Sequence, residues 1–137
     1  MKNNMVFICS PYRGDTKRNI SKARTYARFA ADSGKSPVAS HLLFPQFLED
    51  TKADERIKGI ELGLVQMKVC DEMWIFGTKI STGMEYEIEK AKDLRIPVRL
   101  FDEEMIPIYP ETLKIDDRVD VEYRKIVSGL RFAKGGF

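Results

Sequence analysis

The chain has 137 residues, 43% of them apolar and 32% charged, which is the make-up of one globular domain large enough to bury a core without metals or disulfides. Its 23 basic and 21 acidic residues nearly cancel, so nothing in the charge favours a nucleic-acid polymer as partner. No apolar run reaches the roughly 18–20 residues of a membrane span, and one histidine with two separated cysteines leaves a zinc site without support.

The residues Met5–Cys9 form a continuous apolar run, as expected of a central parallel strand covered on both faces. Ser10, Pro11, Tyr12, Arg13, Gly14 and Asp15 break the run, and Asp15 or Thr16 can cap the helix that follows. That helix is expected to run to about Ser33, with Ile20, Ala23, Ala27 and Ala30 facing inward and Gly34 ending it. Because this strand leads directly from the N-terminus, no signal peptide is expected. With Cys9 and Cys70 both at buried strands, the reading is a reduced, cytoplasmic protein.

A short second strand is expected over 36–40, near an edge because it contains Pro37. His41 to Pro45 reads as a loop with exposed or ligand-facing apolar residues, and a helix beginning between Thr51 and Ala53 carries Ile57, Ile60, Leu64 and Met67 on one face, with Glu61 beside them. Met73 to Phe76 is a third strand, followed by a turn at Gly77 and a helix opening near Thr82. Ile96 to Phe101 is a fourth strand. Prolines at 107 and 110 mark a loop with a possible short strand near Ile108, and 117–130 reads as a last helix through Val119, Tyr123, Ile126, Val127 and Leu130. The tail from Ala133 to Phe137 is expected to be mobile or docked on a neighbouring subunit. Strands alternating with helices give a single three-layer α/β domain over 1–137 with a mainly parallel sheet, flavodoxin-like or Rossmann-like. Its core is expected at about 5–101 and an extension at 102–137.

The helix near Thr82 carries the sharpest chemical signal. Its apolar stripe runs Met84, Ile88, Ala91, with Leu94 or Arg95 one turn on, and Glu87 falls within that stripe, three residues after Met84 and four before Ala91. A carboxylate on a core-facing stripe is costly unless it is paired or lines a cavity, and open α/β sheets place their ligand crevices at the strand ends where this helix begins. Glu87 is therefore the candidate catalytic residue, with an ion pair to Lys90 or Arg13 as the plain alternative. Glu61 is the second acid, and its plain alternative is a helix-edge glutamate in water.

Ser10, Tyr12, Arg13 and Gly14 precede a helix N-terminus and can hold a phosphate, although the same residues also make an ordinary turn. Ser81, Thr82 and Gly83 repeat the arrangement across the crevice: a hydroxyl, a cap and a glycine that admits a ligand to the backbone. Met84 lies beside them. His41 is either a loop histidine or a ligand contact. Neither a Walker motif nor a G-x-G-x-x-G is present, which leaves nucleoside triphosphate hydrolysis and ordinary NAD binding without support. Ser10 to Arg13 has the wrong charge for the acidic magnesium cluster of a receiver domain.

Three pieces, Phe7 to Gly14, Cys70–Asp71 with its apolar strand, and Ser81 to Ile88, resemble the nucleoside 2-deoxyribosyltransferase superfamily, which includes the 2′-deoxynucleoside 5′-phosphate N-hydrolases. The resemblance implies cleavage or transfer at the N-glycosidic bond of a nucleoside or nucleoside 5′-monophosphate, with no cofactor. Glu87 would attack C1′ of the sugar, and Ser10, Tyr12, Arg13, Gly14 and Ser81 would hold sugar or phosphate. It also implies a homodimer or higher homo-oligomer, for which the apolar His41–Phe47 segment and Phe137 are available. The family carries an aspartate on the preceding helix at the place that is Gly63 here, so the proton donor to the leaving base falls to Glu61, His41 or Tyr12. With that aspartate missing, a nucleotide-binding module that catalyses nothing is the rival reading.

Overall fold

A computed structural model describes residues 2–135. The chain forms β1 (Met5–Cys9), α1 (Thr16–Asp32), β2 (Ser36–Val38), α2 (Ser40–Leu43), α3 (Ala53–Met67), β3 (Glu72–Phe76), α4 (Thr82–Leu94), β4 (Val98–Phe101), β5 (Pro107–Ile108) and α5 (Val121–Val127). Five strands make one sheet in the order β2-β1-β3-β4-β5, parallel except for the antiparallel β5. This is the expected α/β architecture.

Period-two alternation divides the core between the faces of the sheet. Val6, Ile8, Trp74, Phe76 and Phe101 pack against Tyr26 and Ala30 of α1. Phe7, Cys9, Met73, Ile75, Val98 and Leu100 point the other way, onto Met67 of α3, Met84, Ile88 and Ala91 of α4, and Tyr123 and Val127 of α5. The strands are apolar on both faces because both faces are covered.

Several local expectations are corrected. The second strand stops at Val38, and Ser40 opens a short helix, so the segment expected as a loop at His41 to Pro45 is a helical turn continued by a 3₁₀ turn over Phe44–Gln46. The fourth strand begins at Val98, after Pro97, rather than at Ile96. The last helix is confined to Val121–Val127, because Asp120 caps it by accepting from the Tyr123 amide at 2.8 Å. Leu94 is 36% exposed and Arg95 adopts a left-handed C-cap at φ 55°, so the inward stripe of α4 ends at Ala91. Ile57, expected to face inward, is exposed.

The tail is docked on its own sheet: Val98 donates to the Arg131 carbonyl and accepts from the Ala133 amide, and the Arg99 guanidinium donates to the carbonyls of Lys134 and Gly135. The expected role of Phe137 lies outside the described residues.

Candidate functional site

Between β1 and β3 the chain leaves in opposite directions, to α1 and to α4, and the loops after these two strands part to form a crevice. Over it sit α2, the 3₁₀ turn and one face of α3. Together they enclose a cavity of about 510 Å³, the size range of small-molecule sites. Tyr12, Arg13 and Gly14 line it from the first loop, His41, Phe44, Leu48 and Asp50 from the roof, Arg56, Ile60 and Gly63 from α3, and Ser81, Gly83, Met84 and Glu87 from the second loop and α4.

Each loop is shaped by its own sequence. Gly14 has φ +99°, a left-handed conformation that favours glycine and turns the chain into α1. Asp15 caps α1, accepting from the Arg18 amide at 3.3 Å, and Asn19 donates to the carbonyls of Tyr12 and Arg13, fixing the loop from below. Across the crevice Ser81, rather than Thr82, caps α4 by accepting from the Met84 amide at 3.3 Å. A Cβ placed on Gly83 meets nothing within 4 Å, so its backbone is open to a ligand.

Glu87 occupies the floor. It is 8% exposed, and its Oε1 has no hydrogen-bond partner among the described residues. Burial pushes its carboxyl from 4.5 up to about 8, while a hydrogen bond from the Cys9 thiol at the end of β1 favours the ionised form. Burial together with the facing Glu87 carboxyl pushes the Cys9 thiol upward in turn. The ion pairs to Lys90 or Arg13 that sequence allowed for Glu87 are not formed. Arg13 pairs with Asp50 at 3.4 Å instead.

His41 Nε2 lies 3.0 Å from the Ser10 carbonyl oxygen, and its ring packs on Tyr12 with centroids 4.9 Å apart. The carbonyl can only accept, so Nε2 carries the hydrogen and, in the neutral ring, Nδ1 is left as an acceptor. Burial lowers the His41 pKa from 6.5, against smaller raising effects from the Ser10 bond and from Asp50. Burial, and then Asp50, raise that of Tyr12. A histidine held neutral is a poor acid, which weighs against His41 as donor to a leaving base.

The structure thus gathers Tyr12, Arg13, Gly14, His41, Ser81, Gly83, Met84 and Glu87 around one cavity. Ser10 lies just beneath it: the residue is 2% exposed and its Oγ lacks a partner among the described residues, so its carbonyl, through His41, is its link to the wall. Glu61 is not brought in. It is exposed on the far side of α3, whose cavity face carries Arg56, Gly59, Ile60 and Gly63. Gly63, the place at which the resemblance sets an aspartate, lines the cavity, and a Cβ there would stand 3.4 Å from the Ser40 Cβ. Sequence reasoning missed Asp50, Glu55 and Arg56. Asp50 sits in a polar stretch with no period, and its signal is spatial, coming only when the loop folds back onto Arg13.

The sequence model of a family described as a domain of unknown function (DUF7768) matches residues 4–101, a span that contains every residue lining the cavity. No curated protein matches the sequence. Among solved structures, the chain is similar to a 2-deoxyribosyltransferase from the psychrotolerant bacterium Bacillus psychrosaccharolyticus, described as a biocatalyst for the synthesis of antiviral and antitumoral nucleosides. The two are 20% identical, the match covers 90% of each chain and the TM-score is 0.56, a likeness of fold. No helix among the described residues is long and apolar enough to cross a membrane.

Proposed function

The chain belongs to the DUF7768 family, and we propose that its cavity cleaves or transfers the N-glycosidic bond of a nucleoside or nucleoside 5′-monophosphate, with Glu87 as nucleophile. One observation carries this reading: a glutamate more than nine-tenths buried, with one oxygen unpartnered among the described residues, lines the cavity at the carboxyl ends of the strands. A structural carboxylate in such a place would be paired.

In the proposed step a Glu87 oxygen bonds C1′ as the C1′–N bond breaks, and the bonding pair leaves on the base nitrogen, which takes up a proton. Water or a second base then attacks C1′ and releases Glu87. Charge on the sugar rises in the transition state, where a desolvated carboxylate acts most strongly. The Cys9 thiol favours the ionised form that attack requires. Tyr12, whose ring lines the cavity, is the remaining candidate for the base proton, since Glu61 points away and the Nε2 hydrogen of His41 is held by Ser10.

The test is incubation with nucleosides and 5′-monophosphates, ribo and deoxy, following free base by chromatography, with Glu87→Gln as the comparison. Base released by the wild type and lost in Glu87→Gln is the expected result. The absence of an acid at Gly63 favours a second reading, a binding module for the same ligands. It predicts no base release, with equal thermal stabilisation of wild type and Glu87→Gln by one member of the panel. We propose in addition a homo-oligomer, supported by the exposed Phe47, Ile57, Val65 and Val69, with sedimentation as its check.

A further inference from the structure

The cation that the first loop presents to the cavity is already answered by a carboxylate. Arg13 reaches Asp50 at 3.4 Å, bridging the loop after β1 and the loop before α3. Asp50 is turned toward the cavity, where it adds to the field felt by both Tyr12 and His41. Arg56, the other cationic residue of the lining, forms no ion pair among the described residues, since Glu55 beside it reaches Lys52 at 3.8 Å. At the start of α1 the Asp15 carboxylate accepts from the Arg18 amide at 3.3 Å and sets a negative charge where an anion would approach. At the start of α4 the Ser81 hydroxyl does the same for Met84. Both helix ends that open on the crevice are therefore capped by their own side chains.

A 5′-phosphate carries about −1.5 to −2 charge at neutral pH. To use Arg13 it would have to displace Asp50 and then lie beside it, and like charges set close together repel. A sugar hydroxyl meets no such opposition, because it can donate to the Asp50 carboxylate and accept from the Arg13 guanidinium at once.

We infer that Asp50 is a specificity-determining residue: by holding Arg13 it selects the unphosphorylated nucleoside over its 5′-monophosphate. This rests on the reading of the cavity as a nucleoside site and names the substrate class within it.

The experiment compares matched pairs of 2′-deoxynucleosides and their 5′-monophosphates, with adenine, guanine, cytosine and thymine as bases. Base release and shift in melting temperature are followed for wild type and for Asp50→Asn. The wild type is expected to favour the nucleoside of at least one pair by about tenfold or more, and Asp50→Asn, which frees Arg13, to move that ratio about tenfold toward the monophosphate. Monophosphate taken as well as or better than nucleoside by the wild type overturns the inference while leaving the cavity reading standing. An unchanged ratio in a folded Asp50→Asn also overturns it, and the wild-type comparison decides alone should that variant not fold. Silence across every pair and across the matching ribonucleoside pairs, in both readouts, removes the cavity reading and this inference together.

Discussion

The ring nitrogen Nε2 of His41 and the carbonyl oxygen of Ser10 are 3.0 Å apart, which ties the short helix over the cavity to the end of the first strand beneath it. This contact fixes the tautomer of the chain's one histidine. Burial lowers the His41 pKa, so the imidazole stays neutral where a free one would begin to charge. The ring signals of a single histidine are unambiguous by NMR, and their titration midpoint is expected below 6.5. The sign for stability follows: the His41 contribution is whole above 6.5 and is lost as pH falls through that value toward the folded midpoint. A midpoint at or above 6.5 would contradict the buried geometry.

Glu87 works in the opposite direction. Its carboxyl titrates at about 8 in the fold against 4.5 when free, so the folded state holds the proton more tightly and stability drains away as pH rises from 4.5 to about 8. The full difference is on the order of 5 kcal/mol at 1.36 kcal/mol per pH unit. Glu87→Gln removes the titration. It is expected to match the wild type near pH 4 and to melt higher at pH 8 to 9, as read by calorimetry across that range. Equal pH dependence in the two proteins would show that Glu87 ionises freely. If Glu87 is the nucleophile, turnover rises with pH through about 8, since only the ionised form attacks; a falling limb would make it an acid instead.

Gly83 separates a fold requirement from a ligand requirement. It stands in the first turn of α4 with open space where a Cβ would go, so Gly83→Ala is expected to hold or raise stability by about 0.5 kcal/mol. Ligand stabilisation and any base release are expected to fall in the same variant. Stability lost on its own would mean that the glycine serves the helix alone.

Arg118 clamps the far end of the molecule, donating to Asp102 at 3.0 Å, to Asp116 and to the Pro107 carbonyl, and so joins the end of β4, β5 and the segment before α5. Asp102 is 9% exposed, and removing its cation leaves one of its carboxylate oxygens buried without that partner. Arg118→Ala is expected to lower unfolding free energy by about 1–3 kcal/mol in urea titrations. Arg118→Lys should recover little, because a single ammonium cannot span three acceptors in the fork geometry of a guanidinium. A silent Arg118→Ala would mean that β5 is held by backbone pairing alone.

The parts legible in the sequence were those with a period. The central strands appear as apolar runs because both faces are covered, and the stripe Met84, Ile88, Ala91 placed Glu87 on the inner face of its helix. The same method misled on α3. There the inner face looks partly onto a cavity, so it carries Arg56, Gly59 and Gly63 among Ile60, Leu64 and Met67 of the expected stripe, while Ile57 and Val65 face outward. Apolar periodicity therefore drew Glu61 to the wrong side. Asp50 was invisible for another reason: the polar stretch around it has no repeat, and its role comes from a contact with a segment far away in the chain.

The tail laid along β4 has an effect beyond that strand. An open sheet exposes two rows of amides and carbonyls to any passing extended chain. Here one margin is β2, three residues long and containing a proline, and the other is shared by β5 and the backbone at 131–133. Neither margin offers a long, flat run for a foreign strand to zip onto. The molecule therefore guards itself against edge-to-edge self-association, and removing 131–135 would expose the start of β4 and turn that margin into a template for aggregation.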